Sequence, residues 1–340
     1  MDIKQLCITL AEKRGVAGDE GKTAEYLCSL LEKYMPCEID ALGSVIGKKQ
    51  GKGKSVLLDA HIDRVGLIVT YIDEDGFVHF DKCGGADLRV LTGCEVTVYA
   101  KQELFGVICS VPPHLISDKS KGRQVELKNL AVDLGMTKDE VCKIVSAGDR
   151  ISYRAQYYTL NEDMICGAGF DDRCGVAAIL LCLEMLKENG VNALVEVQFS
   201  VQEEKGKAGA QTAAYKSTAD ECIAVDVGFA CQPGVRREEG IVMGDGASIC
   251  FSPILDTAMC LKLKQTAEEN DIPFQCDATG DLTHTDADAV SIGRGGVKCA
   301  LLSIPLRSMH TACEMISIKD VEATARLLYE YIRSGSEENE

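Results

Sequence analysis

His61-Ile62-Asp63 stands at the end of an apolar run, Ser55-Val56-Leu57-Leu58-Asp59-Ala60. Asp171-Asp172, Glu203-Glu204, Asp226 and His310 follow in order, most of them where a hydrophobic strand pattern gives out. Imidazole nitrogens and carboxylate oxygens are donors that Zn²⁺, Co²⁺ or Mn²⁺ accept, and a shared carboxylate holds two such ions ~3.5–4 Å apart. Each piece has a plainer explanation by itself. One aspartate of Asp171-Asp172 serves as a helix N-cap, Glu203-Glu204 as the solvated end of a strand, and either histidine as a hydrogen-bonded core residue. Asp226, inside Ala224-Val225-Asp226-Val227, resists that treatment, because a carboxylate in a buried strand must be paired, protonated or bound to metal. Five coincidences at successive strand ends are less economical than one dinuclear metal site, and the chemistry implied is metal-assisted hydrolysis. Asp63 lies two residues from His61, on the same side of an extended strand. There its carboxylate is placed to accept the other ring N–H of His61 and fix the tautomer.

Such side chains need strand ends to hold them, and in open α/β sheets ligands collect at the carboxyl ends of strands. The opening reads as two helices, with Ile3, Leu6 and Leu10 on one face and then Ala24, Leu27, Leu31 and Tyr34. Strands are expected at Cys37–Ile39, Ser44–Gly47 and Val56–Ala60, the last nearly all apolar, as in a strand covered on both faces. From Leu67 to Asp163 strand follows strand: Leu67–Ile72, Phe77–Phe80, Val90–Leu91, Glu95–Ala100, Gly106–Ser110 and Arg150–Tyr157. Asp75-Gly76 marks a hairpin, and one helix, Lys138–Val145, interrupts the series. From Met164 onward strands alternate with helices. The expected strands are Ile165–Ala168, Val195–Val201, Cys222–Val227, Ala247–Cys250, Pro273–Cys276 and Lys298–Ile304. The expected helices are Arg173–Lys187, Lys207–Lys216, Asp256–Glu269 and Lys319–Arg333, the last introduced by a Ser317-x-x-Asp320 cap. The polar tail Ser334–Glu340 reads as frayed. The fold class is therefore α/β: a mixed, mostly parallel sheet sandwiched by helices, formed by residues 1–66 and 164–340, with a small β-barrel-like domain, 67–163, inserted into it.

Composition narrows the partners. The charge balance, 36 − 53 = −17, disfavours nucleic acid and anionic membranes. An acidic exterior suits cationic ligands such as peptide amino termini, although it equally serves solubility. No apolar stretch approaches the ~20 residues of a membrane span, and the start lacks the pattern of a signal peptide. The 17 cysteines are odd in number, scattered, and without a C-x-x-C pair. They read as small hydrophobes in a reducing cytoplasm, and zinc held by cysteine is not supported.

The ordered motifs resemble those of the glutamyl/leucyl/deblocking (TET) aminopeptidases, metallopeptidase family 42. They are Ala60-His61-Ile62-Asp63-Arg64-Val65-Gly66, Phe170-Asp171-Asp172-Arg173, Val201-Gln202-Glu203-Glu204, Ala224-Val225-Asp226-Val227, Thr285-Asp286-Ala287 and Ile304-Pro305-Leu306-Arg307-Ser308-Met309-His310. The likeness spans essentially the whole chain, including the Gly106-Val107-Ile108…Pro112-Pro113-His114-Leu115 segment of the insert. The resemblance implies one ion held by His61, Asp171 and Asp226, another by Asp171, Glu204 and His310, and Asp171 as the bridge. It implies Glu203 as the general base and a metal-bridged water as the nucleophile, acting on the amino-terminal residues of short peptides. Neighbouring residues on a regular strand face opposite ways, so Glu203 and Glu204 can both reach the metals only if the chain bends, and Gly206 is compatible with a bend. Family members also self-assemble, typically as dimers building a hollow tetrahedral dodecamer.

Several positions depart from that pattern. Arg64 stands where an acidic residue is frequent, and Gly244-Asp245-Gly246-Ala247 replaces a Gly-Lys-Gly-Pro-like turn. His284 replaces glycine, and Ser308 with Thr311-Ala312-Cys313 replaces Tyr and Ser-Pro near the last ligand. These are expected where substrate is read, so they bear on specificity. Arg307 is placed to support nearby carboxylates. Three other functions compete. An amidohydrolase acting on small N-acyl compounds would use the same metals. A glucanase, a label given to some family members, needs two carboxyls facing across a sugar bond and is poorly served by a chain with no Trp and 5% aromatics. A non-catalytic scaffold has no need of Glu203.

Overall fold

From Ser55 to His61 every residue of the strand that delivers the first histidine is buried. Only a strand at the middle of a covered sheet is so placed. The computed structural model that shows this describes residues 1–115, 125–154 and 156–337. The chain begins with α1 (Ile3–Ala11) and α2 (Gly21–Leu31), then β1 (Cys37–Ile39), β2 (Val45–Lys49) and β3 (Lys52–His61). Next come β4 (Gly66–Ile72), β5 (Val78–Cys83), α3 (Leu88–Leu91), β6 (Glu95–Tyr99), β7 (Glu103–Ser110), β8 (Leu130–Asp133), α4 (Lys138–Ile144) and β9 (Arg150–Tyr153). After these lie β10 (Tyr158–Thr159), β11 (Met164–Gly167), α5 (Arg173–Glu188), β12 (Ala193–Ser200), α6 (Ala208–Lys216) and β13 (Glu221–Phe229). The remainder is β14 (Ala247–Phe251), α7 (Thr257–Glu269), β15 (Phe274–Ala278), α8 (Asp286–Ser291), β16 (Lys298–Arg307), β17 (Glu314–Ser317) and α9 (Ile318–Glu337).

The large sheet is mixed and has eleven strands among the described residues, in the order β1-β2-β12-β3-β13-β16-β17-β11-β10, with β14 and β15 branching from β16. Its centre, β12-β3-β13-β16, is parallel, while the flanking pairs are antiparallel. Helices α1, α5 and α9 pack on one another, α5 and α9 also against β3, and α6 with α8 form a second group against β12, β13 and β16. A stripe of Val321, Ala325, Leu328 and Ile332 buries one face of α9, the 3.6-residue repeat of an amphipathic helix. The strands β4-β5-β8-β7-β6-β9 close into a separate barrel around Leu67, Val69, Val78, Val96, Val98 and Ile108. Asp73, whose carboxylate accepts the N–H groups of Asp75 and Phe77, shapes the β4–β5 hairpin.

Some elements differ from expectation. Val90–Leu91, read as a strand, lies in the short helix α3, because Asp87 caps that turn by accepting the Arg89 N–H. Arg150–Tyr157 ends as a strand at Tyr153, with Ala155 outside the described residues. Strands β8 and β17 and helix α8 were not foreseen. Ser317 and Asp320 form no capping box: the Ser317 hydroxyl has no partner, and Asp320 accepts instead from the N–H groups of Gly244 and Gly246. The expected frayed tail is helical to Glu337, and positions 338–340 lie outside the described residues.

Candidate metal centre

The parallel register explains why the ligands meet. Ser200 of β12 lies level with His61 of β3, and Ala224 of β13 with Asp59, so Asp226 comes two residues further along beside His61. Asp171 arrives from the loop after β11, and His310 from the turn between β16 and β17. Nε2 of His61 is 3.1 Å from Oδ1 of Asp171 and 3.8 Å from Oδ1 of Asp226. Nε2 of His310 is 3.2 Å from Oδ2 of Asp171 and 3.2 Å from Oε1 of Glu204. The two oxygens of Asp171 thus face different histidines. Two overlapping triads result, His61/Asp171/Asp226 and Asp171/Glu204/His310, each with its donor atoms within 4.8 Å of one another.

Both glutamates reach the cleft because the chain leaves the strand abruptly. Gln202 adopts a left-handed conformation (φ 59°), Glu203–Lys205 form one 3₁₀ turn, and Gly206 (φ 117°) closes it. Asp63 holds that turn: its Oδ1 accepts the Glu203 N–H at 2.8 Å and its Oδ2 the Glu204 N–H at 3.1 Å. Its expected bond to the His61 ring is therefore modified. Nδ1 of His61 lies 3.1 Å from the main-chain oxygen of Asp63 and 3.6 Å from the carboxylate. Asp172 is the N-cap of α5, accepting the Gly175 N–H, so the two adjacent aspartates divide capping from the cleft. The peptide joining them is cis.

Sequence reasoning missed Glu314. Its buried Oε2 accepts the N–H groups of Gly169, Phe170 and Asp171, and its Oε1 accepts that of His310. One carboxylate therefore fixes two of the three segments that supply the second triad. The available signal was an acid in an otherwise buried Glu314-Met315-Ile316-Ser317 alternation just after His310. Glu20 was missed as well: its Oε1 accepts from Gly18 and from Gln202, the residue at the bend. Arg307 does not support carboxylates, since its Nε donates to the Cys231 carbonyl. Of the departures weighed for specificity, His284 lines the cleft. Arg64 is buried and donates to the Ala11 carbonyl, and Asp245 sits on the turn tied to Asp320, so neither reads substrate in the cleft. Ser308 is bound through its N–H to Gln232.

The electrostatics call for cations. Burial works against charge on His310, yet Asp171 and Glu204 push its pKa up to about 11. Burial is likewise outweighed at His61, which Asp171, Asp63 and Asp226 hold well above the ordinary histidine range. Burial raises Asp226 to about 8 against the pull of His61, with Asp171 adding repulsion. Burial also raises Glu203 to about 9, His61 opposing and Asp226, Asp286 and Glu204 reinforcing. Asp171 is lowered, because hydrogen bonds with His310 and His61 overcome its burial. Oε1 of Glu204 is buried and makes no well-formed hydrogen bond, its near neighbour being Nε2 of His310 at 3.2 Å. A buried carboxylate oxygen so placed is costly unless a cation takes its lone pairs, and three carboxylates with two imidazoles form a donor set suited to divalent ions. The residues fit the metals. Elsewhere, Cys28, Glu32 and Cys37 also cluster, against the expectation from spacing, but their sulfurs lie 3.0 Å apart. Two thiolates on one tetrahedral zinc stand nearer ~3.8 Å.

The cleft has a volume of about 440 Å³ and includes both histidines, Glu203, Lys207 and Phe229 among its walls. A two-triad cleft at the carboxyl ends of a parallel sheet has the donor set that metal-dependent hydrolases use. Residues 43–327 match the M42 glutamyl aminopeptidase family, and the chain belongs to it. This is an aminopeptidase family of metallopeptidases, which implies divalent metal ions. The chain is 30% identical to the lysyl aminopeptidase of Pyrococcus furiosus, over 95% of this chain and 94% of that protein. Its fold matches the TET aminopeptidase of Thaumarchaeota archaeon SCGC AB-539-E09 with a TM-score of 0.92, at 28% identity over 99% of both chains. It also matches the Pyrococcus horikoshii TET1 peptidase, which can assemble into a tetrahedron or a large octahedral shell, with a TM-score of 0.86 and 28% identity over 97% of this chain and 99% of that one.

Proposed function

We propose that this chain is a two-metal aminopeptidase that removes amino-terminal residues from short peptides. The carrying observation is Asp171, whose two oxygens face two histidines in two triads that share it. His61, Asp171 and Asp226 would hold one ion, and Asp171, Glu204 and His310 the other, with Zn²⁺, Co²⁺ or Mn²⁺ suiting this donor set. Bound there, the pair supplies Lewis acidity toward the scissile carbonyl and an acidified water. Glu203 takes the proton of the attacking water and passes it to the departing amine, from a position in the cleft beside the Glu204 ligand. Asp63 keeps Glu203 and Glu204 in place through their N–H groups, and the surplus of carboxylates favours the free α-amine of a substrate.

We assign catalysis to residues 1–66 with 164–340 and treat 67–163 as an insert, which contributes Gly85 to the cleft. By analogy with the TET1 peptidase we place the active form in a homo-oligomer. All seventeen thiols are free, in keeping with a cytoplasmic location. Among the described residues no helix is long and apolar enough to cross a membrane.

The decisive experiment is Glu203→Gln. The variant should bind the same two equivalents of metal and lose turnover of aminoacyl amides by ~10²–10⁴-fold. Unchanged turnover rejects Glu203 as base, and chelator-insensitive activity of the unaltered protein rejects the metal mechanism. Equal activity on N-blocked and free peptides would favour the amidohydrolase.

A further inference from the structure

A second cavity, of about 490 Å³, opens from the metal cleft and shares with it Val227, Phe229, Thr285 and Met309. Its walls include the buried Ile241 and Leu301, and the half-buried Asp277 stands among its lining residues on β15. Oδ1 of Asp277 accepts the Ser248 hydroxyl at 2.5 Å. The other charged residues around this cavity are Glu238 and Glu239, with His284 at the rim and no lysine or arginine in its lining. Glu239 is engaged by Arg236. Ser303, nine-tenths buried, also lines the cavity.

A different groove, about 470 Å³, leaves the cleft past Gly85 and His310. It is lined mainly by exposed or half-buried groups, among them Lys82 and Arg89, the latter paired with Asp87. An exopeptidase needs a closed pocket for the first side chain and an open route for the rest of the peptide. The buried Ile241, Leu301 and Ser303 give the Asp277 cavity a floor that the Lys82 groove, with only Ala86 buried, lacks, so the first is taken as the side-chain pocket and the second as the open route.

Resting on the aminopeptidase reading, we propose that the Asp277 cavity receives the side chain of the substrate's amino-terminal residue and selects lysine or arginine. The alkyl stem lies along Val227, Ile241 and Leu301, and the cationic head meets Asp277. Glu238 reinforces the field from the loop above. Apolar walls with a charged end suit such side chains, which bury their stems and keep a polar tip. An acidic first residue would be repelled.

The test uses the metal-loaded enzyme with lysyl, arginyl, norleucyl, leucyl and glutamyl amides of one leaving group. Norleucine retains the stem and lacks the ammonium. The expected kcat/KM for lysyl exceeds that for norleucyl by ~10- to 100-fold, the range of a hydrogen bond to a charged group, with glutamyl lowest. Asp277→Asn should cut the lysyl-to-norleucyl ratio at least ~10-fold, and Asp277→Glu should retain most of it. Because asparagine still accepts from Ser248, the ratio reports charge rather than folding. Glutamyl cleaved as well as lysyl, or a ratio unmoved by Asp277→Asn, overturns the assignment while leaving the aminopeptidase reading intact. Failure to cleave any of the amides overturns both.

Discussion

Two carboxylates that bind no substrate organise the site. Glu314 accepts four N–H groups from the loops that present Asp171 and His310, and Asp63 accepts two from the turn that presents the glutamates. Glu314→Gln replaces one acceptor oxygen with an amide that points N–H at N–H. It should lower metal affinity by ~10–100-fold, as losses of groups orienting ligands do, and competition against a coloured chelator would read this. An unaltered affinity would leave Glu314 as mere packing. Glu20 makes a pH prediction. Burial raises its pKa to about 7, against a usual 4.5, despite the N–H groups of Gly18 and Gln202. The folded state therefore holds a proton that the unfolded state releases near pH 4.5. The stability this carries is full below that pH and is lost as pH rises through 7. Glu20→Gln mimics the protonated form, so it should be more stable than the parent at pH 8 by on the order of 1–3 kcal/mol and near parity at pH 5. Urea midpoints at the two pH values decide it, and a constant offset would refute the linkage.

Backbone conformation at the element scale concentrates strain around the cleft. Gln202, Lys207, His284, Ser308 and His310 all have positive φ without being glycine, and all lie in the cleft or beside a residue that lines it. Such conformations cost about 1–3 kcal/mol each and persist where surrounding structure imposes them. Gly206 closes the same turn at φ 117°, and a Cβ there would meet nothing within 4 Å. Any effect of Gly206→Ala is thus conformational. We expect a loss of ~1–2 kcal/mol and a larger loss in kcat than in thermal stability would suggest, measured by steady-state kinetics beside thermal unfolding. An alanine variant with normal kcat would show that the turn does not position Glu203. The same local backbone separates what the sequence reveals from what it hides. Strands β3, β13 and β16 were legible because burial on both faces demands largely apolar runs, and β12 because Val195, Val197 and Phe199 alternate with Glu196 and Gln198; the acids and histidines at or beyond their ends stood out by contrast. Strand β17 and helix α8 were hidden, being short, with Glu314 and Asp286 inside them. Their carboxylates are tolerated because they accept hydrogen bonds from distant N–H groups and from the Ser200 hydroxyl. The bend at Gln202 was inferred from the need for two glutamates in one place, but its position was set by αL backbone that carries no compositional mark. Asp63 stood out two residues from His61, yet which groups its carboxylate would hold depended on the turn.

For the molecule as a whole, the chain carries net charge −17, and four of its carboxylates, Asp171, Glu203, Glu204 and Asp226, line the cleft. Without metal, protons stand in for cations: His310 is pushed up to about 11, Asp226 to about 8, and His61 is raised well above its ordinary range. Metal ligation requires neutral imidazole and ionised carboxylate. Loading the two triads near pH 7 must therefore expel protons from His61, His310 and Asp226. Raised ligand pKa values mean that protons compete with metal over the neutral range, so affinity should climb as pH goes from 6 to 8. Calorimetric titration in two buffers of different ionisation enthalpy would count the protons released, and we expect at least one per ion. On the two-metal reading, ions bind the folded cleft and not the dispersed ligands of the unfolded chain, and the loaded protein should gain ~2.7 kcal/mol per site at a hundredfold excess over Kd. A chelator would then lower the unfolding temperature most at pH 8, where the affinity is greatest. Loading without proton release, or with an affinity flat in pH, would mean that ions bind elsewhere on the acidic surface and that the His61–Asp171–His310 cleft is held together by its own internal ion pairs.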